Sequence, residues 1–129
     1  MDNLILVKPT IDLKEKALEY KKEHFDNGEE IINGSALLDK LDYEDWIKHI
    51  EKSSNPETVD ENWVEASTFF VIRETDQRII GMVDIRHRIN KFLALFGGHI
   101  GYSVRPSERK KGYGTKILEM ALKYAKTIN

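Results

Sequence analysis

The sequence Arg109-Lys110-Lys111-Gly112-Tyr113-Gly114-Thr115 lies between a predicted β-strand, residues 98–104, and a predicted α-helix, residues 116–128. The first N–H groups of a helix have no intrahelical acceptor, and the helix dipole adds partial positive charge at the same end. A turn that leads into a helix can therefore bind an anion. The two glycines let the backbone approach a ligand closely and adopt positive φ angles where required. Three cationic side chains add formal charge, so this stretch predicts a phosphate-binding turn.

Two common phosphate-binding motifs do not fit this turn. The P-loop of nucleotide triphosphatases needs glycine where Arg109 stands, and it needs lysine before threonine, whereas here Thr115 precedes Lys116. The dinucleotide-binding fingerprint needs a third glycine where Ile117 stands. Neither motif accounts for the turn.

The turn and the strand before it resemble the central motif of one enzyme family. Arg109-x-x-Gly112-x-Gly114 matches the Arg/Gln-x-x-Gly-x-Gly/Ala signature of the GNAT superfamily of N-acetyltransferases. Residues 100–106, Ile-Gly-Tyr-Ser-Val-Arg-Pro, resemble the family's strand β4 where it enters the acetyl-CoA loop. The run from 97 to 118 is similar to the family motif in spacing and in residue type. The alternative explanation is a capped helix whose basic turn is only solvated.

The resemblance implies acetyl-CoA as co-substrate and no metal. In the family, backbone N–H groups of the loop bind the pyrophosphate of CoA, which here implies residues 110–115, while Arg109 shapes the loop and adds charge. The pantetheine arm lies beside the strand like an extra strand, and a strand N–H polarises the thioester carbonyl. The cofactor-binding residues implied in this way are Tyr102, Ser103, Val104, Arg109, Lys110, Lys111, Gly112, Tyr113, Gly114 and Thr115.

Two residues are candidates for acid-base catalysis. Asp84, Arg86 and His87 form a polar cluster at the end of an otherwise apolar predicted strand. Asp84 is the best candidate for substrate contact, because a carboxylate can bind or deprotonate an amine; a solvated strand end is the alternative. His99 is the second candidate base, and its place at the start of a strand also fits a structural histidine. Many members of the family use a water chain instead, and the acid that protonates the CoA thiolate is often a tyrosine in the C-terminal portion.

The composition is typical of a soluble globular domain. Of the 129 residues, 40% are hydrophobic and 33% are charged, and this length suits one domain. A net charge of −2 disfavours a nucleic-acid partner. The chain has no cysteine, which excludes disulfides, a thiolate nucleophile and a cysteine-based zinc site. Nothing at the N-terminus resembles a signal peptide and no apolar run approaches the ~20 residues of a membrane helix, so we expect a cytoplasmic protein without a membrane partner.

The hydrophobic periodicity predicts the order strand, two helices, three strands and a helix. The predicted strands span residues 4–7, 66–74, 79–87 and 99–104, and the two helices after the first strand span about 12–27 and 43–52. Gly81 predicts a bulge. With the resemblance, this order predicts an α+β fold, a mostly antiparallel central sheet flanked by helices, as one incomplete domain over residues 1–129. The family fold continues beyond the acetyl-CoA-binding helix with a strand, a helix and a hairpin, so we expect an open sheet edge and a homodimer formed through it.

Three functions remain open from the sequence. The first is an N-acetyltransferase that acts on a primary amine of a small molecule or a peptide. The second is a module that binds CoA or another phosphate ligand without catalysis, and the third is an interaction domain with a solvated turn. Tyr20, Tyr43 and Trp46 lie at helical spacing, which favours a core position over a substrate-binding one.

Overall fold

The computed structural model describes residues 3–55, 57–58, 65–87 and 100–127. Its strands are β1 (Leu4–Val7), β2 (Ala66–Arg73), β3 (Arg78–Arg86) and β4 (Ile100–Val104), and its helices are α1 (Lys14–Asp26), α2 (Tyr43–Ser53) and α3 (Tyr113–Thr127). Short 3-10 helices, Ile11–Leu13 and Pro106–Glu108, precede α1 and the predicted phosphate-binding turn. The predicted α+β class and order of elements are confirmed. Within these ranges, no helix is long and apolar enough to cross a lipid bilayer.

The four described strands form one antiparallel sheet in the order β1-β2-β3-β4. The register of β2 against β3 shifts between Val71 and Ile72, opposite Gly81, which confirms the predicted bulge. A Cβ at Gly81 would clash with the carbonyl oxygen of Ser103 and with the side chain of Ile117. The close approach of β4 and α3 to this point of β3 therefore requires glycine.

Helices α1 and α2 pack on one face of the sheet. The apolar residues of α2 recur at spacings of three and four, which places Tyr43, Trp46 and Ile50 against the sheet. Trp46 is completely buried, and its ring lies 5.6 Å from that of Phe70 on β2. Tyr20 of α1 is buried in the same cluster. The three aromatic residues whose spacing favours a core position therefore lie in the core.

Helix α3 packs on the opposite face of the sheet. Its buried residues are Tyr113, Ile117 and Ala121. Leu118 and Leu122, which the periodicity also places on the buried face, are 38% and 48% exposed. Because one turn contains 3.6 residues, each lies about 100° around the helix from the buried residue before it. The sheet is therefore covered by a narrower stripe of α3 than the apolar pattern predicts.

Strand β4 lies at one edge of the sheet. β3 pairs with one side of it, and no strand of the described part of the chain pairs with its other side. An unpaired edge leaves backbone N–H and C=O groups available to another segment or to a ligand. Self-association of the chain through this edge stays a prediction.

Candidate functional site

The turn between β4 and α3 leads directly into the helix and contains two residues with positive φ angles. The N–H of Lys116 donates to the carbonyl oxygen of Gly112 at 3.4 Å, so α3 begins directly after Gly112. The N–H groups of residues 113–115 are then the first of the helix and have no intrahelical acceptor. Gly112 has φ 85° and Lys110 has φ 64°, both in the left-handed region. Gly112 adopts this conformation without a steric penalty, whereas Lys110 is strained by its Cβ.

The turn and the free edge of β4 line a pocket of about 370 Å³. Its lining residues are Tyr102, Ser103, Val104, Glu108, Arg109, Lys110, Gly112, Tyr113 and Gly114. All of them except Glu108 belong to the cofactor-binding set predicted from the sequence. The other two members of that set, Lys111 and Thr115, are exposed and do not line the pocket.

Gly114 keeps space between the turn and the strand. It lies in the first turn of α3, where the helical backbone does not require glycine. A Cβ there would lie 3.6 Å from Cε2 of Tyr102 and 3.9 Å from Cγ2 of Val104. A larger side chain at this position would extend toward β4 and fill the pocket.

Arg109 ties the turn to two other parts of the chain. Its Nε donates to the carbonyl oxygen of Val104 at 3.0 Å, and its Nη1 and Nη2 each donate to a carboxylate oxygen of Glu29 at 2.7 Å. The hydrogen bonds from Arg109 lower the pKa of Glu29 to about 2, so the carboxylate is ionised at neutral pH. Each guanidinium nitrogen thus has an acceptor within the protein, and the charge of Arg109 is balanced. The sequence gives no local sign of this pair, because Glu29 lies 80 residues before Arg109.

Glu108 is a lining residue that was not predicted. Its carboxylate is 5% exposed, accepts hydrogen bonds from Arg73 at 3.1 Å and Lys111 at 2.9 Å, and lies 3.5 Å from Nε of Arg78. Burial raises the pKa of Glu108, but the hydrogen bonds from Lys111 and Arg73 outweigh it and lower the pKa overall. Arg73 is also paired with Asp76 and Arg78 with Glu23, so the charges are balanced and Glu108 joins the turn to β2 and β3. An acidic residue within a basic segment was the available signal for this cluster.

Glu108→Gln should lower the free energy of unfolding by about 2 kcal/mol at pH 7, because it removes a buried carboxylate that accepts charged hydrogen bonds. The folded-state pKa of Glu108 is depressed, so its stabilisation is present above the unfolded pKa of about 4.3 and is lost as pH falls through the folded value. Urea unfolding at pH 7 and pH 3 should therefore show a smaller difference between variant and wild type at pH 3. Glu119→Gln, exposed on α3, is the control. A difference in the free energy of unfolding between Glu108→Gln and wild type that is equal at pH 7 and pH 3 would contradict this role of the Glu108 carboxylate.

Side chains of α1 hold the end of β4. Tyr20 Oη lies 2.8 Å from Ser103 Oγ, and the Arg105 guanidinium, 2% exposed, donates to Glu19 and Glu23 at 3.2 Å each. The Arg105 guanidinium also lies over the ring of Tyr20, 5.5 Å from its centroid. Burial raises the pKa of Tyr20, so its hydroxyl stays neutral. These contacts position Ser103, which lines the pocket.

The segment between α1 and α2 packs directly on β4. Gly34 has φ 70°, and a Cβ there would clash with the backbone of Gly101 and Tyr102, so the two backbones are in contact. Ala36 and Leu37 follow with φ 50° and 76°, a strained conformation for residues that carry a Cβ. Strained segments of this kind cluster at ligand sites, and this one adjoins the strand that lines the pocket.

Asp84 does not lie at a solvated strand end. It is 5% exposed, accepts a hydrogen bond from Thr68 Oγ1 at 2.9 Å and is paired in register with Gly101 of β4. Burial raises the pKa of Asp84. Because side chains alternate along a strand, His87 lies on the opposite face of the sheet, so the predicted polar cluster is divided. Asp84 does not line the pocket, and His99, the other predicted base, lies outside the described residues.

Comparison with known proteins identifies the family to which the chain belongs. Residues 36–129 match the model of the Acetyltransferase (GNAT) family. This match covers more than half of the chain, and the chain belongs to the GNAT acetyltransferase family. Among solved structures, the GNAT domain of S. lividans PAT has the same fold, with a TM-score of 0.54 and 12% sequence identity. The similarity covers 96% of this chain and 65% of that one, and no curated protein matches the chain significantly.

Proposed function

We propose that the chain is an acetyl-CoA-dependent N-acetyltransferase that acetylates a primary amine of a small molecule or a peptide. The observation that carries the proposal is the pocket between the free edge of β4 and the turn that begins α3. It brings helix-terminal N–H groups, the left-handed Gly112 and the small Gly114 to one place. Membership of the GNAT family supports acetyl as the group transferred. A cytoplasmic location is part of the proposal, supported by the cysteine-free composition.

The pocket suits two chemically different parts of acetyl-CoA. The N–H groups of residues 113–115 can donate to the pyrophosphate, and the partial positive charge at the start of α3 favours an anion beside them. The free edge of β4 can pair with the amides of the pantetheine arm, as an added strand would. Arg109 lines the pocket and supports the turn, and its guanidinium is already bound by Glu29 and Val104.

The reaction is acyl transfer from sulfur to nitrogen. The neutral amine attacks the thioester carbonyl carbon, a tetrahedral oxyanion forms, and the C–S bond breaks to release the CoA thiolate. A backbone N–H on the free edge of β4 is the proposed donor to the oxyanion. The amine loses a proton to a base, and the thiolate gains one as it leaves.

Glu29→Gln should weaken acetyl-CoA binding about 10-fold, although it removes a negative charge near a polyanion. The 2.7 Å hydrogen bonds of Glu29 hold Arg109, and through it the strained turn at Lys110. Losing this charged pair costs the ordered turn about 2 kcal/mol. Removing a partly exposed charge gains only about 0.5 kcal/mol, because solvent and salt screen it. The free energy lost with the Glu29–Arg109 pair therefore exceeds the free energy gained by removing the charge.

Titration calorimetry with acetyl-CoA measures the effect of Glu29→Gln. Glu30→Gln is the matched control, since it removes the same charge from the next residue, which is exposed and is not an acceptor of Arg109. At saturating acetyl-CoA, kcat of the Glu29→Gln variant should equal that of wild type. Binding as tight as in Glu30→Gln would show that the pair does not position the turn.

Two measurements in sequence test the proposed function. Acetyl-CoA should raise the Tm of the chain more than ADP does, because ADP lacks the pantetheine arm. Thiol release from acetyl-CoA should then exceed background hydrolysis when a panel of primary amines is added. A Tm shift without thiol release would identify a CoA-binding module, for which the open edge of β4 leaves room. No shift with either compound would reject both functions.

A further inference from the structure

A second group of reactive side chains lies on the α3 face of the sheet. Ser67 of β2 has its Oγ 2.8 Å from Nε2 of His87, and Nδ1 of His87 lies 3.0 Å from a carboxylate oxygen of Glu65. Tyr124 of α3 places its hydroxyl 3.0 Å from the same Oγ. None of these four residues lines the pocket between β4 and α3. The arrangement is therefore separate from the proposed acetyl-CoA site.

The tautomer of His87 sets the direction of the hydrogen bonds in this group. In the tautomer of His87 whose Nδ1 donates to the carboxylate of Glu65, Nε2 carries no proton and is an acceptor. The hydroxyl of Ser67 then donates to Nε2, and the hydroxyl of Tyr124 donates to Ser67 Oγ. A hydroxyl bonded to a histidine that is itself oriented by a carboxylate is the arrangement of an activated serine.

We infer that Ser67 is a nucleophile activated by His87, and that this site reacts with small activated acyl esters independently of acetyl-CoA. Glu65 is a positioning residue, because it acts through the orientation of the imidazole. The side chains of His87 and Glu65 are 19% and 22% exposed, and Ser67 is partly exposed.

The step is acyl transfer from an ester to a serine. Ser67 Oγ attacks the ester carbonyl carbon while its proton moves to Nε2 of His87. The Tyr124 hydroxyl, next to Oγ, is placed to donate to the oxyanion that forms. The ester C–O bond then breaks, and the leaving group takes the proton from His87 and leaves Ser67 acylated. Attack by water, with the same proton transfers, releases the acid and regenerates the serine.

The experiment uses the whole chain with two probes. A fluorophosphonate should label the wild-type chain at Ser67 with loss of fluoride, as mapped by mass spectrometry of peptides. Release of 4-nitrophenol from 4-nitrophenyl acetate should fall at least 10-fold in Ser67→Ala and in His87→Ala. Glu65→Gln should lower the rate, and Glu65→Asp should restore part of it. Ser54→Ala is the matched control, because this exposed hydroxyl donates only to the carbonyl oxygen of Glu51.

Wild-type chain that carries no label at Ser67 overturns the inference, and so does nitrophenol release that is equal in Ser67→Ala and wild type. The labelling needs no variant, so a folding defect cannot imitate the absence of label. Neither probe contains CoA, so failure here is distinguishable from failure of the proposed N-acetyltransferase.

Discussion

Gly112→Glu should lower the affinity of the chain for acetyl-CoA by about 100-fold or more. Residue 112 has φ 85°, where a Cβ costs about 1–2 kcal/mol, so the turn has to move to accept another residue. The new carboxylate would also face the pyrophosphate at the start of α3. Two unit charges about 4 Å apart repel by about 4 kcal/mol at an effective dielectric constant of about 20. This repulsion exceeds the free energy that corresponds to a 100-fold change in affinity. Titration calorimetry measures the change.

Two alanine variants separate strain from charge in this result. Gly112→Ala adds the strain without the charge, and it should weaken binding by about 10-fold. Gly28→Ala is the matched control, because Gly28 has φ 79° and no atom lies within 4 Å of a Cβ built there. The Gly28→Ala variant should lose about as much stability as Gly112→Ala and keep its affinity for acetyl-CoA. Affinity of a folded Gly112→Glu chain within about threefold of wild type would show that the anion does not bind at this turn.

Asp84→Asn tests the base predicted from the sequence: loss of a general base should lower kcat by about 100-fold with little change in KM for acetyl-CoA. Asp84 is paired with Gly101 on the strand proposed to hold the thioester. Asparagine keeps an oxygen that can accept the hydrogen bond of Thr68, so the fold should persist. Steady-state kinetics with a responsive amine give both constants.

The pH profile tests whether Asp84 acts as a base. Burial raises its pKa, and a base is active when ionised, so the activity of wild type should rise as pH increases through that raised value. This rise of activity with pH should be absent in the Asp84→Asn variant. Asp45→Asn, exposed on α2, is the control. Wild-type kcat in the Asp84 variant would assign proton removal to another group, such as a water chain.

The order of elements and the pocket-lining strand were predictable because their signals are local. Alternating and helical apolar spacing identified every described strand and α-helix, but neither 3-10 helix. The start of α3 was placed at residue 116, three residues late, because glycine at 114 is a poor helix former in an interior position and is tolerated in the first turn. The polar cluster at the end of β3 is divided, because pleating places Asp84 and Arg86, 4.0 Å apart, on one face and His87 on the other.

The contacts that could not be predicted join residues far apart in the chain. The hydrogen-bonded residues Glu29 and Arg109 are 80 residues apart in the sequence, and Ser67 and Tyr124 are 57 residues apart. Each of these residues, taken alone, fits an ordinary surface or strand position. Their chemistry appears only when the sheet and helices bring them within hydrogen-bond distance.

Residues 109–115 predict an anion site, and together with the strand before them, in the run from 97 to 118, they predict a family, because helix-terminal N–H groups, glycine conformations and clustered charge belong to a continuous stretch of chain. The packed fold alone decides that Glu29 neutralises Arg109, that Asp84 is buried and that Ser67 meets a histidine. Such pairings depend on the free energy of the whole chain, in which segments distant in sequence are brought together to bury apolar surface.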